Sequence, residues 1–367
     1  MKTVCEKNKC TGCMLCKDIC PKNAITVKED MKAYNAVINE ELCINCNLCH
    51  RMCQKNNEQV FVETKMCKQG WAIDPLIRKK SSSGGLAAAF SIAFIENGGY
   101  VCSCTFKDGA FKFELINNKK DISKMTGSKY VKSNATGIYK NIKKLIVDGQ
   151  KVLFIGLPCQ VSALKKYIGE NNNLYTVDLI CHGTPSPKTL ELYLKENKCD
   201  IKSLSNLQFR ENNEFKLYNS SKPIEPDGVT DFYTDTFLKC VNYTENCYEC
   251  EYAQVKRVSD ITLGDSWGTE LSVDEQNKGI SLIMCQTQRG MNLLEKSNVH
   301  LEDVNIERAI ANNRQLNKPS KAPAERDLFF KTLEETGSYA KAFKKLYFKS
   351  YYKYKIKKLL IKIGLWK

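Results

Sequence analysis

Two stretches of the chain carry cysteine in the same spacing: "CTGCMLCKDIC" at 10–20 and "CINCNLCHRMC" at 43–53, 33 residues later. Both read C-x2-C-x2-C-x3-C. Three thiolates so spaced reach one iron–sulfur cubane from a single loop, and the fourth lies one helical turn on, aimed at the other cluster. The spacing assigns Cys10, Cys13, Cys16 and Cys53 to one [4Fe–4S] cluster, and Cys43, Cys46, Cys49 and Cys20 to a second. Zinc in the same thiolates is the competing chemistry. Cys5 falls outside the spacing and reads as a bystander, and His50 as a solvated or outer-sphere group.

Pro21 follows Cys20 as in the bacterial ferredoxin run, whereas Gln54 follows Cys53, a departure that removes no ligand. Residues 1–58 resemble the two-cluster bacterial ferredoxin domain, and residues 1–60 are expected to form it. Such a carrier needs only about 60 residues. The remainder must exchange electrons with it, bind something, or anchor it.

Further thiols follow strand-like runs. In "KVLFIGLPCQVSALKKY" (151–167) an apolar run stops at Gly156, and Cys159 opens a helical pattern. "LYTVDLICHGTPSPKTLELYLKEN" (174–197) repeats that grammar, with Cys181-His182-Gly183 at the strand end and a capped helix start after it. In an open α/β sheet the carboxyl ends of strands share one edge, where ligands bind. Cys159 and Cys181 are therefore predicted on one edge. Cys247 and Cys250 add a C-x2-C pair, and "SDITLGDSWG" looks like another strand, ending at Gly264-Asp265. By type and number, Cys159, Cys181, Cys247 and Cys250 complete a third [4Fe–4S] site, with zinc as the structural alternative. Cys240 is a lower-ranked ligand, because it lies in an apolar helical pattern. A nucleophilic Cys159 would need a base, which His182 alone is placed to supply. Cys67, Cys102, Cys104, Cys199 and Cys285 lack metal spacing; Cys102 and Cys104 alternate along a strand and are expected to pack.

The elements that position these thiols are those of a mixed α/β protein. Hydrophobic residues make up 43% of the 367 and charged residues 26%, as in globular domains. The first residues lack a signal-peptide core, and no apolar run is long enough to span a membrane, so a cytoplasmic protein is expected. Nineteen cysteines without a secretion signal favour metal binding over disulfides. The organisation reads as a ferredoxin domain (1–60), a basic linker (61–80), an α/β body (81–325) and a basic tail (326–367). The segment 344–367 holds nine lysines and no acidic residue, supplying most of the net charge of +15. Its mixture of Lys, Tyr, Leu, Ile and Trp366 suits either an amphipathic helix on an anionic membrane or a surface helix packing its apolar face on the body. No motif supports nucleic-acid binding.

The motifs "SSSGG" (81–85), "GSKYVKS" (127–133), "GLPCQ" (156–160), "CHGTPSP" (181–187), "CYEC" (247–250) and "GDSWG" (264–268) together resemble the coenzyme F420 hydrogenase/dehydrogenase beta-subunit family over residues 65–325. The resemblance implies an iron–sulfur flavoprotein oxidoreductase with FAD beside a [4Fe–4S] cluster, exchanging hydride with a substrate such as coenzyme F420 or an unidentified compound, with a redox partner protein. It places the family's cluster cysteines on Cys159, Cys181, Cys247 and Cys250. Ser81, Ser82, Ser83, Gly84 and Gly85 open onto a helix whose free N–H groups suit a pyrophosphate, although the residues alone favour a flexible linker followed by a capped helix. Gly127, Ser128, Lys129 and Tyr130 would add phosphate charge and a ring face. His182 and Lys129 are the candidate proton donors. The G-x-G-x-x-G fingerprint is absent, so a nucleotide-binding Rossmann unit is not supported. Two other readings compete: an electron-transfer subunit that reduces a partner enzyme, and a flavin-free metal-binding scaffold.

Overall fold

The run Val152–Gly156 is a strand buried along its whole length, which requires a sheet covered on both faces. The computed structural model describes residues 2–211 and 214–366. In chain order its strands are β1 (Ile25–Glu29), β2 (Tyr34–Ile38), β3 (Met66–Ala72), β4 (Tyr100–Lys107), β5 (Ala110–Ile116), β6 (Val152–Gly156), β7 (Leu174–Leu179), β8 (Leu207–Glu211), β9 (Glu214–Asn219), β10 (Lys222–Pro223), β11 (Ile261–Asp265), β12 (Ser281–Cys285) and β13 (Val299–Glu302).

Eight of them form one mixed sheet in the order β13-β3-β12-β11-β7-β6-β4-β5. β4, β6, β7 and β11 run parallel, so their carboxyl ends share an edge. Side-chain alternation along β6 divides the core. Val152 and Phe154 pack under the helices Ile138–Val147 and Pro158–Ile168, while Leu153 and Ile155 pack against Leu86, Phe90, Phe94, Leu293 and Leu294 on the other face. The β1–β2 hairpin belongs to the N-terminal cysteine domain, in which Val4, Met14, Ile25, Tyr34 and Ala36 form a small core of their own. A third sheet, β10-β9-β8, closes over an aromatic core that includes Phe209, Tyr233, Phe329 and Tyr339.

Two expected boundaries move. The stretch 61–80, read as a linker, contributes β3, which is hydrogen-bonded on both sides inside the main sheet. Its basic residues had masked that role. The tail begins later than 326: Phe329, Phe330, Tyr339 and Phe343 are fully buried in the body. Only the helix Phe348–Lys362 is peripheral. That helix packs Tyr351 and Tyr354 against Phe232 and pairs Lys358 with Glu225. Phe348, Tyr352, Ile356, Leu359 and Ile363, spaced along another face, stay exposed. Among the described residues, no helix is long and apolar enough to cross a membrane.

Candidate redox centre

In the N-terminal domain each cysteine loop turns through left-handed residues, Gly12 and Met14 in the first and Asn45 and Asn47 in the second. Such turns aim consecutive N–H groups into the concave side of the loop. Gly12 N donates to Cys10 Sγ at 3.4 Å, Asn45 N to Cys43 Sγ at 3.4 Å, and Ala24 N to Cys20 Sγ at 3.3 Å. N–H donors aimed at sulfur are what cluster-bound thiolates accept. The short helices Leu15–Ile19 and Leu48–Met52 then carry Cys16 with Cys20 and Cys49 with Cys53 across to one another.

The result is two thiol groups. Cys16 lies within electrostatic reach of Cys10, Cys13 and Cys53, and Cys49 within reach of Cys20, Cys43 and Cys46. The second group lines an open cavity of about 360 Å³ with Pro21, Ile25, Ile38 and Leu48. Burial raises the Cys13 thiol to about 11, whereas a hydrogen bond from Cys5 lowers Cys10 to about 7. Cys5, expected as a bystander, is buried beside Cys10 and Cys53 and interacts with both. Cys46 is exposed, and Leu42 and Ile44 beside it are exposed as well. The second group thus faces outward and the first faces the body.

In the body, Cys159 opens the helix after β6 and Cys181 follows β7, on the shared carboxyl edge. The segment carrying Cys247 and Cys250 is pinned over them. Pro185 and Tyr243 form a β-bridge, and Thr184 N donates to Cys247 Sγ at 3.4 Å. Gly183 allows that approach, since a Cβ there would lie 2.3 Å from the Tyr243 ring. Arg257 holds the far side: Nη1 donates to the Tyr252 carbonyl at 2.8 Å, and Nη2 pairs with Asp178 of β7 at 2.9 Å. Cys159, Cys181, Cys247 and Cys250 consequently line one cavity of about 550 Å³ with His182, Lys132 and Tyr252. Cys240 is absent from that lining and ends the helix Phe232–Leu238 in a left-handed turn. Among the described residues no three ligating side chains close as tightly as a single ion requires. Thiolates round a cubane stand further apart, with the inorganic core between them.

Burial raises the thiols of Cys159, Cys181 (to about 12) and Cys250 (to about 11). Such thiols are poor free nucleophiles. His182 lines the cavity with its side chain exposed; partial loss of water around it lowers its pKa, while Asp265 opposes that shift. Asp265, at the end of β11, forms a 2.7 Å ion pair with buried Arg210, whose guanidinium lies over Phe215 and Trp267.

The remaining predicted residues form two loops that meet. Ser128 N donates to Ser82 Oγ at 2.8 Å, Ser83 Oγ to the Ile280 carbonyl at 3.0 Å, and Ser81 Oγ to the Ile77 carbonyl at 2.8 Å. Gly84 N donates to Ser281 Oγ, and Gly85 precedes the helix Leu86–Glu96 with no side chain capping its first N–H groups. An uncapped N-terminus beside two serine-bearing loops fits a pyrophosphate. Lys129 differs from the expectation. Its ammonium donates to the carbonyls of Met125, Thr126 and Gly127, so it staples its own loop instead of offering free phosphate charge. Tyr130 stacks on Phe237 at 4.5 Å and also on Phe215, so its ring serves packing.

Sequence reasoning passed over Gln54. It is 1% exposed, and its Nε2 donates to Thr11 Oγ1 at 3.1 Å and to the Cys159 carbonyl at 2.7 Å, while its Oε1 accepts from the Tyr252 hydroxyl. The side chain next to Cys53 therefore holds the backbone of Cys159. The proline-to-glutamine departure was the only sequence signal of it. Around this contact, Tyr139 donates to the Cys13 carbonyl at 2.8 Å, Gly137 N to Asp18, and Lys55 pairs with Glu251 at 3.1 Å.

Residues 9–57 match the 4Fe-4S dicluster domain, and residues 149–308 match the family of the coenzyme F420 hydrogenase/dehydrogenase beta subunit, C terminus. Together they define the class: an iron–sulfur, electron-transferring protein of oxidoreductase type. The chain is thus similar to that beta-subunit family over residues 149–308, with a stretch similar to a ferredoxin-type dicluster domain in front. Among solved structures, a chain of the F420-reducing [NiFe] hydrogenase complex from Methanosarcina barkeri is similar. It is 19% identical, with 71% of this chain and 97% of that chain covered and a TM-score of 0.49. No curated protein matches the chain at a significant level.

Proposed function

We propose that this chain is an iron–sulfur flavoprotein oxidoreductase in which three thiol groups, ordered from the surface inward, connect a partner protein to a flavin at the carboxyl edge of the sheet. One observation carries the reading: four thiols from β6, β7 and the C-x2-C segment converge on one cavity, and the inner thiol loop of the dicluster domain is bonded to its wall. Cys159, Cys181, Cys247 and Cys250 would hold a third [4Fe–4S] cluster, and the Ser81–Gly85 turn, the 127–130 loop and the start of the helix Leu86–Glu96 would hold FAD. When bound, the clusters supply one-electron transfer and the flavin supplies two-electron hydride chemistry.

The protein's own part is positional. Arg257 and Gln54 fix the cavity wall, and His182 presents an imidazole to the cavity, where it would hold a proton for the substrate. The substrate is coenzyme F420 or another hydride carrier, and the exposed Cys46 face with Leu42 and Ile44 meets the partner protein. That exposed face equally suits the narrower role of a subunit that only reduces a partner enzyme. The exposed apolar stripe of the helix Phe348–Lys362, interleaved with lysines, lies on an anionic membrane surface.

Anaerobic reconstitution of the full chain tests the reading. It requires about 12 iron atoms per chain, or three cubanes, with one FAD. Cys159→Ser should lower the iron to about eight while leaving the dicluster domain loaded. Eight iron atoms and no flavin in the wild type would overturn it.

A further inference from the structure

Lys132 lies where the dicluster domain meets the body, and it is 5% exposed. Its ammonium donates to the Thr11 carbonyl at 2.9 Å and to Asn246 Oδ1 at 3.4 Å, and it stands 5.1 Å from the centre of the Tyr34 ring. Thr11 follows Cys10, and Asn246 precedes Cys247. One cation therefore touches the loop of the inner dicluster thiols and the segment of the body thiols. It also lines the cavity formed by Cys159, Cys181, Cys247 and Cys250.

Among the described residues its partners are a carbonyl, an amide and an aromatic ring, with no carboxylate among them. A buried ammonium without a counter-ion is costly. The negative charge missing from this site is what two sets of metal-bound thiolates provide. The approach is also built into the backbone. Gly12 has φ +69°, and a Cβ there would lie 2.9 Å from Lys132 Cδ, so any other residue at position 12 would push the lysine stem aside.

We propose that Lys132 is the shared counter-cation of the inner dicluster site and the body site, raising the reduction potential of both and leaving the outer site unaffected. The inference rests on the three-cluster reading above. Reduction adds negative charge, and a fixed positive charge in a low-dielectric site stabilises the reduced form. Lys132 would thereby draw electrons arriving at the exposed Cys43–Cys49 loop inward, and hold the inner and body sites close in potential.

The test is an EPR-monitored redox titration of anaerobically reconstituted full-length protein, comparing wild type with Lys132→Met and Lys132→Arg, each with its iron content measured. The expected result is equal iron in all three proteins and lower midpoints for two of the three clusters in Lys132→Met. The shift should reach at least a tenfold change in oxidised-to-reduced ratio at fixed potential, which is about 59 mV for a one-electron couple. The third midpoint stays in place, and Lys132→Arg follows the wild type. Where Lys132→Met loads poorly, Lys132→Gln takes its place with the same expectation, since it removes the charge and keeps a polar side-chain end. Unmoved midpoints at full iron overturn the role of Lys132 and leave the three-cluster reading standing. Wild-type protein with only eight iron atoms overturns the three-cluster reading and this inference with it.

Discussion

Replacing Gln54 by leucine keeps the volume of a buried side chain and removes its hydrogen bonding. The Cys159 carbonyl and Thr11 Oγ1 each lose the donor they share, and the Tyr252 hydroxyl loses its acceptor. The Tyr252 hydroxyl also has Ser162 within reach, and the Cys159 carbonyl keeps its helical donor, so Thr11 Oγ1 alone is left stranded. A buried polar group without its partner costs about 1–3 kcal/mol, which is the expected cost for the contact between the two domains. Gln54 is not a ligand, so iron content should match the wild type. The cost should appear as local opening: amides around Cys10–Cys16 and Cys159–Ser162 should exchange with solvent about fivefold faster or more, since about 1.4 kcal/mol is tenfold. Amide exchange of the metal-loaded chain, read by mass spectrometry, measures this directly. Exchange within threefold of the wild type at both segments would refute the assignment of Gln54 as the joint between them.

Three further outcomes follow from the same geometry. Asp178→Asn leaves the Arg257 guanidinium buried without its carboxylate, and the chain should lose about 3–5 kcal/mol in denaturant unfolding; a loss under 1 kcal/mol would contradict the pairing. Burial raises the carboxyl of Asp231 to about 6, so between pH 5 and 7 the folded chain binds more protons than the unfolded chain and stability falls as pH rises. The contribution across that window is about 1 kcal/mol, and Asp231→Asn should remove it from the measured pH slope. Liposome co-sedimentation of the full chain should depend on anionic lipid and vanish on truncation after Tyr347, which spares the buried Phe343; equal binding of both forms would reject a membrane role for the helix Phe348–Lys362.

Local grammar made much of this protein readable. Cysteine spacing announces the dicluster domain because its ligands come from short loops. The apolar runs ending at Gly156 and Leu179 announce parallel strands, and the chemistry of such sheets gathers at their carboxyl ends, as Cys159 and Cys181 do. Contacts between distant segments were not legible. Residues 66–72 look like linker because Lys68, Gln69 and Gly70 interrupt the apolar residues there, yet β3 is held by ladders to β12 and β13. Lys129 resembles a phosphate ligand by type, but three carbonyls of its own loop turn its ammonium inward.

What the sequence by itself determined is which residues can bind metal and which strand ends carry them, since both depend on spacing along the chain. The tertiary structure decided which thiol group faces solvent and which faces the body. It also placed Gln54 and Lys132, 78 positions apart in the chain, at one seam between two thiol groups. Burial sets their importance: an amide or an ammonium is ordinary in water, and becomes decisive only where folding removes the water and leaves two groups of thiols as its surroundings.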